Sequence, residues 1–329
     1  VSGPVSEACE VTVDSGQDYA VVALTDDGRV RVLAARTTRL AEQARRRHDA
    51  SPTAAAALGR ALTGAALLGM TLKDRGTVTL RLLGDGPLGG LIAEADASGN
   101  VRGYAKNPSA DLPPTPAGKL DVGGLIGRRG FCHVTRDMGL REPYTGSSPL
   151  VSGEVGEDLT RYLAESEQTP SAVALGVLVD RTGVIAAGGL FVQLLPPADN
   201  PGAPSEPPDP PAEADPVETL ETALAGMKSV SRLIEAGLRP EDLVRLALGR
   251  LSYRLLEARP LRFSCRCSRE RALDTLASLG RQDLADLVRA GAGTGDGAEL
   301  VCRFCGAAYH FTREELRALL REPKHPPLR

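Results

Sequence analysis

The sequence has no tryptophan, and aromatic residues make up only 3% of it. That scarcity leaves no row of rings on which single-stranded nucleic acid could stack. There is no excess of positive charge either. The 39 basic residues are set against 42 acidic ones, for a net charge of −3, so no global field exists to hold a polyanion. No export signal is legible, because Val1-Ser2-Gly3-Pro4 does not lead from a basic segment into an apolar one. The apolar runs from Ala172 to Val179 and from Val184 to Val192 are too short to span a bilayer. The stretch from Thr53 to Leu72 is long enough, but it is mostly Ala, Gly and Thr and carries Arg60, so it reads as a packed helix. These absences set the expectation of a cytoplasmic chain with no membrane and no nucleic-acid partner. Thiols stay reduced in that compartment, and the six cysteines then point to metal binding or redox sensing rather than to a disulfide framework.

What is present reads as α+β, with strands and helices interspersed and no regular βαβ rhythm. Tyr19 to Leu24 and Arg29 to Ala34 form a hairpin around Thr25-Asp26-Asp27-Gly28, with Gly28 free to take positive φ. A charged helix covers Thr38 to His48, and Ser51 caps a second helix with Pro52 in its first turn. Strands follow within Thr77 to Ala97 and over Val101 to Lys106. Gly118 to Gly130 reads as loop, Phe131 to Thr135 and Pro149 to Gly153 as extended, and Asp158 to Ser166 as helix. Ala172 to Val179 and Val184 to Phe191 make a further hairpin. The large N-terminal domain is thus placed at residues 1–195.

Nine prolines in the 21 residues from Pro196 to Pro216 mark an extended linker, 196–216. Beyond it, Val217, Leu220, Leu224, Met227, Val230 and Ile234 recur at helical spacing and give one apolar face. Another short helix begins near Pro240. The 217–260 region has too little mass for a core of its own, so its apolar face must pack on the N-terminal domain.

The chain then reads Cys265-Arg266-Cys267 and, 34 residues later, Cys302-Arg303-Phe304-Cys305-Gly306. Two close cysteine pairs at this separation are the spacing of a tetrahedral four-thiolate site for one Zn²⁺. Helices over Ser268 to Ser278 and Arg281 to Ala290 fill the interval, and Gly306 allows a tight turn. The module is placed at 261–312, followed by a C-terminal helix and tail over 313–329. Arg266 and Arg303 lie inside the arms, where positive charge is expected to favour thiolates. Four thiolates leave no open coordination position, which argues against a zinc enzyme and leaves no catalytic residue to assign.

The residues around these cysteines resemble the C-terminal signature of the redox-regulated heat-shock chaperone family called heat shock protein 33. They are Phe263-Ser264-Cys265-Arg266-Cys267-Ser268 with Arg271, Leu276 and Leu279, then Val301-Cys302-Arg303-Phe304-Cys305-Gly306 with Tyr309 and Phe311. The N-terminal part is similar too, in Ser166-Glu167-Gln168-Thr169-Pro170-Ser171-Ala172, in Ala186-Ala187-Gly188-Gly189 and in Gly153-Glu154 before Glu157-Asp158-Leu159. The resemblance runs from about Asp18 to Phe311. The interval between the arms, with Gly291 to Gly297 as an insertion, and the Pro-rich linker are longer than is usual in the family, and a tail follows Glu322.

The resemblance implies an ATP-independent holdase that is inactive while reduced and zinc-bound. On oxidation zinc leaves, the C-terminal region unfolds, and an active dimer binds unfolding client proteins. The face formed by Val217, Leu220, Leu224, Met227, Val230 and Ile234 is a candidate client surface, as is the N-terminal sheet beneath it. Four cysteines allow three connectivities. Closing a long loop costs more entropy than closing a short one, which favours Cys265–Cys267 and Cys302–Cys305, the pairing the resemblance also implies.

A zinc-ribbon nucleic-acid binder is the rival reading. Its weakness is the charge from Arg262 to Arg329, where 12 basic and 9 acidic residues are intermixed. The remaining cysteines, Cys9 and Cys132, have no close cysteine partner in sequence. His133 neighbours Cys132 on a strand, where adjacent side chains point to opposite faces. The runs Gly84-Asp85-Gly86 and Gly123-Gly124 fit no phosphate-binding fingerprint, and Arg45-Arg46-Arg47-His48 reads as a solvated helix end.

Overall fold

Local signals fix most of the elements in the first half of the chain. The computed structural model describes residues 16–73, 75–139, 142–196, 216–290 and 297–321. Strands β1 (Tyr19–Thr25) and β2 (Val30–Arg36) form the first hairpin, with Gly28 at φ 72°. Helix α1 covers Thr38–His48. Helix α2 covers Pro52–Gly69, and the Ser51 side chain accepts a hydrogen bond from Ala54 N at 3.2 Å. Alanine and glycine make α2 narrow enough to be buried on nearly every side. Its one charge, Arg60, pairs with Glu154. No helix among the described residues is long and apolar enough to cross a membrane.

Strands β3 (Thr77–Gly84), β4 (Leu91–Asp96) and β5 (Asn100–Ala105) follow, then a short helix α3 (Val122–Ile126), β6 (Gly130–Asp137), β7 (Tyr144–Pro149) and helix α4 (Val155–Glu165). The hairpin β8 (Ser171–Asp180) and β9 (Gly183–Leu194) closes this part. Three expectations need correction. Gly118 to Gly130 is not all loop, because the Asp121 carboxylate accepts from Gly124 N at 2.8 Å and starts α3. The strand expected from Pro149 lies earlier, over Tyr144–Pro149, and α4 starts at Val155 rather than Asp158.

Beyond the linker, whose residues 197–215 lie outside the described ones, come α5 (Pro216–Ala225), α6 (Val230–Glu235), α7 (Pro240–Leu248), β10 (Tyr253–Pro260) and β11 (Arg262–Phe263). The apolar spacing from Val217 to Ile234 is therefore carried by two helices, interrupted at 226–229, and not by one. Residues 217–260 are not wholly helical either, since β10 pairs antiparallel with β1.

The strands form two sheets in the first of two compact units, Val1–Ser264. One sheet has the order β10-β1-β2-β9-β8 and the other β11-β5-β4-β3-β6-β7. Helix α2 packs between them, against β2, β8 and β9 on one side and β3, β4 and β5 on the other. Helices α5, α6 and α7 cover the far face of the five-stranded sheet. Leu220, Val230, Ile234, Leu243, Val244, Ala247 and Leu248 are buried there with Tyr19, Val21, Val32, Leu190 and Val192. Leu224 and Met227 are partly buried against the same cluster. The expected packing of this segment on the N-terminal domain is thus observed, and the apolar face is turned inward.

The seat of α6 is made of glycine. Gly176 and Gly188 are cross-strand partners in β8 and β9. A Cβ on Gly188 would lie 2.1 Å from Ile234 Cδ1, and one on Gly176 would lie 2.7 Å from Ser231 N. Only side chains of hydrogen let the helix approach this closely. Helix α7 is tied by Tyr19 Oη donating to Glu241 Oε2 at 2.8 Å, and it begins with Asp242 accepting from Arg239 N at 2.9 Å.

Asp18 precedes β1 and is 4% exposed. One oxygen accepts from Leu40 N at 2.6 Å, while the other has no hydrogen-bond partner. Burial raises its pKa to about 6, against the opposing pull of the backbone N–H groups of Leu40 and Arg39 and the charges of Arg36 and Arg39. A carboxyl whose folded pKa exceeds its unfolded value favours folding most when protonated. Its contribution is therefore full below about pH 4 and lost as pH rises to about 6. The expected loss is on the order of 3 kcal/mol for a shift of about two units. Urea unfolding of Asp18→Asn is expected to show a flatter dependence between pH 4 and 6 than the parent chain, and an unchanged slope would refute this assignment.

The second unit, Cys265–Arg329, contains α8 (Arg269–Ala277), α9 (Arg281–Ala290), β12 (Gly297–Val301), β13 (Ala308–Thr312) and α10 (Arg313–Arg321). Its core comprises Ala272, Leu276, Leu284, Phe311, Leu316 and Leu319. A unit of this size with so small an apolar cluster among its described residues is expected to need a further tie to stay folded.

Candidate metal centre

The two cysteine arms are positioned by short-range structure. Cys267 precedes Ser268, the N-cap of α8, whose Oγ accepts from Arg271 N at 3.2 Å. Arg271 Nη1 reaches back to Arg266 O at 2.7 Å and steadies the first arm. The second arm is the turn of the β12–β13 hairpin. Cys302 N donates to Ala307 O at 2.9 Å, and Gly306 N donates to Cys302 O at 2.8 Å. Gly306 has φ 71°, as its place in a tight turn requires. The pairing of Leu300 with Tyr309 brings the tyrosine alongside the site.

The four sulfurs converge. All of Cys265, Cys267, Cys302 and Cys305 Sγ lie within 4.8 Å of one another. Across the arms, Cys265 is 3.7 Å from Cys302 and Cys267 is 3.3 Å from Cys305. Tetrahedral coordination at a metal–sulfur distance of about 2.3 Å places sulfurs about 3.8 Å apart. The spacing and the all-thiol donor set fit one metal ion, and Cys305 is the most buried of the four at 4% exposure.

The electrostatics show what the cluster costs without a cation. Partial burial opposes a thiolate at Cys265, but hydrogen bonds from the Cys267 backbone and from the other sulfurs outweigh it and bring its pKa to about 7. Cys302 and Cys305 are shifted the other way, first by burial and then by neighbouring sulfur. A thiolate forms readily at Cys265 and is disfavoured at Cys302 and Cys305, and a bound divalent cation would favour the thiolate form of its ligands. The expected influence of Arg266 and Arg303 is not among the leading causes, which are burial and hydrogen bonds from backbone and sulfur.

A residue that reasoning on thiol spacing passed over also touches the site. Tyr309 Oη donates to Cys267 Sγ at 3.1 Å. This hydrogen bond pushes the phenol up to about 12, so it is a protonated donor at neutral pH. Nearby, Arg269 lies over the Phe311 ring at 4.6 Å and donates to Glu315 at 2.8 Å and to His310 O at 3.0 Å. Outside the cluster, Cys132 is fully buried, with its thiol pKa raised by burial and by Asp158. His133 is on the other face of the strand, its ring 5.9 Å from that of Phe131. Cys9 lies outside the described residues.

A mixed helix–sheet unit with a helix-covered sheet, followed by a small unit whose four converging thiols could hold a metal ion, defines the class of protein. The family model described as Hsp33 protein matches residues 18–312. The 33 kDa chaperonin of Symbiobacterium thermophilum is 50% identical over 309 residues, covering 93% of this chain and 98% of that relative. That of Desulforamulus reducens is 44% identical over 306 residues, with the same coverage. The crystal structure of the 33 kDa chaperonin (heat shock protein 33 homolog) from Thermotoga maritima is similar at a TM-score of 0.81 and 36% identity, covering 93% of this chain and 98% of that one. The chain belongs to the Hsp33 family of chaperones.

Proposed function

We propose that this chain is a redox-regulated, ATP-independent holdase that carries one zinc ion when reduced and binds unfolding proteins once its cysteines are oxidised. The observation that carries the reading is the convergence of four sulfurs from two arms, in a unit whose described residues form one small apolar cluster. When bound, zinc would supply the tie that joins the arms, and structural zinc contributes roughly 10–16 kcal/mol of apparent binding energy. The thiolates of Cys265, Cys267, Cys302 and Cys305 hold that tie, and oxidised sulfurs cannot.

Residues 265–321 then lose their fold, and the 217–260 region, joined to them through β10 and β11, is the next to loosen. Release of α5, α6 and α7 frees two apolar faces at once, their own and that of β1, β2 and β9. Unfolding client proteins bind there, in the cytoplasm, and the active form is a homodimer. The role is non-enzymatic. In the folded state Cys265 lies 3.7 Å from Cys302 and Cys267 lies 3.3 Å from Cys305, both across the arms. Once the unit opens, chain entropy favours the short loops, so Cys265–Cys267 and Cys302–Cys305 form.

Hypochlorite treatment of the zinc-loaded chain is expected to release zinc, to produce those two disulfides in peptide maps, and to switch on suppression of client aggregation. Zinc release that leaves aggregation unchanged would remove the chaperone switch, and a dominant Cys267–Cys302 bond would remove the pairing.

A further inference from the structure

The four cysteines are not equivalent in their surroundings. Cys267 accepts a hydrogen bond from the phenol of Tyr309 at 3.1 Å. The tyrosine is held from both sides. Its backbone pairs with Leu300 in the β12–β13 hairpin, and its ring packs against the small core that includes Phe311 and Leu276. A donor fixed in this way keeps its geometry whether or not the chain around Cys267 fluctuates.

We propose that Tyr309 is a positioning residue that slows oxidation of Cys267 relative to the cysteines of the other arm. The proposal rests on the zinc-thiolate reading above, and it concerns rate rather than the capacity to hold metal. The relevant step is attack by the Cys267 thiolate on hydrogen peroxide. A sulfur lone pair forms the S–O bond, the O–O bond breaks, and the leaving hydroxide takes the electron pair. The sulfur loses two electrons to the peroxide, giving Cys267–SOH. A hydrogen bond on that sulfur occupies one lone-pair direction and withdraws charge from the nucleophile. Ligand-directed hydrogen bonds of this kind tune metal-bound donors generally.

Tyr309→Phe removes the donor and keeps the ring, so the core contact survives. Loss of a hydrogen bond to a charged acceptor is expected to speed Cys267 oxidation roughly tenfold. The experiment exposes the zinc-loaded full chain briefly to peroxide, traps sulfenic acids with a 1,3-diketone, and maps the labelled peptides. Zinc release is followed in parallel with a chromogenic chelator. The expected result is a rise in labelling of Cys267 relative to Cys302, with one zinc per chain retained before oxidant is added. Leu320→Ala, which loosens the same core without touching the hydrogen bond, is expected to raise labelling of all four cysteines together. An unchanged Cys267 to Cys302 ratio in Tyr309→Phe would overturn the proposal. So would a variant that holds no zinc even in zinc excess, since the phenol would then be needed to form the site. Neither outcome depends on client binding, so failure here is distinct from failure of the holdase reading.

Discussion

A chain carrying Cys305→Ser is expected to lose its metal and, with it, the ordered structure of residues 265–321, while the first unit stays folded. Cys305 is the most buried of the four thiols and sits in the turn that Cys302 and Gly306 close. A serine hydroxyl is a hard, neutral donor at neutral pH and does not replace a thiolate. The remaining three sulfurs lose most of the roughly 10–16 kcal/mol that structural zinc supplies. The small apolar cluster around Leu276, Phe311 and Leu316 is not expected to make up that difference. Zinc stoichiometry near zero, with amide protection lost throughout α8, β12, β13 and α10, is the expected result. A protected second unit without metal would contradict it.

The second large effect concerns the cover over the five-stranded sheet. Gly176→Val is expected to make the reduced, zinc-loaded chain hold clients without any oxidant. A Cβ at this position would meet Ser231 N at 2.7 Å, Ser231 Oγ at 2.8 Å and Ser231 Cβ at 2.9 Å, all of them atoms of α6. A β-branched residue suits a strand, so β8 itself tolerates the change. The strain falls on α6, a helix of six residues anchored by the buried Val230 and Ile234 and the partly buried Leu233. Overpacking of about 1–3 kcal/mol is enough to lift so short a helix. Light-scattering assays of client aggregation should show suppression by the reduced variant with zinc still bound. A variant whose α6 is released but which remains inactive would place client binding elsewhere.

The metal centre was the most legible part of the molecule because its chemistry is rare and its spacing local. Cys265, Cys267, Cys302 and Cys305 needed no knowledge of tertiary structure. Helix starts at Ser51 and Ser268 were legible for the same reason, since a capping hydroxyl acts within three residues. Strand β7 was displaced in the reading because its buried positions are Gly146 and Ser148, which give no apolar alternation. Helix α3 hid in a glycine-rich stretch and is revealed only by Asp121 bonding Gly124. Val217 to Ile234 keeps helical spacing across a break at 226–229, so periodicity alone could not show two helices. Tyr309 needed the pairing of Ala308–Thr312 with Gly297–Val301 before its hydroxyl could be placed against Cys267.

The same limit applied to the glycines. Gly176 and Gly188 are far apart from Ser231 and Ile234 in sequence, and only the sheet register makes them the floor under α6. That floor explains why a segment with little apolar mass stays attached at all. Tyr19 and Glu241 add one polar tie between β1 and α7. The cover is held by the apolar side chains that α5, α6 and α7 bury against the sheet, by this close approach and by that one polar tie.

Hydrogen exchange across α5, α6 and α7 before and after oxidation tests the central claim most directly. In the reduced, zinc-loaded chain these helices should be protected together with β1, β2 and β9. After hypochlorite treatment and zinc loss, protection should vanish from α5, α6 and α7 and from residues 265–321, while strands β1 to β9 keep theirs. Client holding by a chain whose α5, α6 and α7 remain protected would contradict the account.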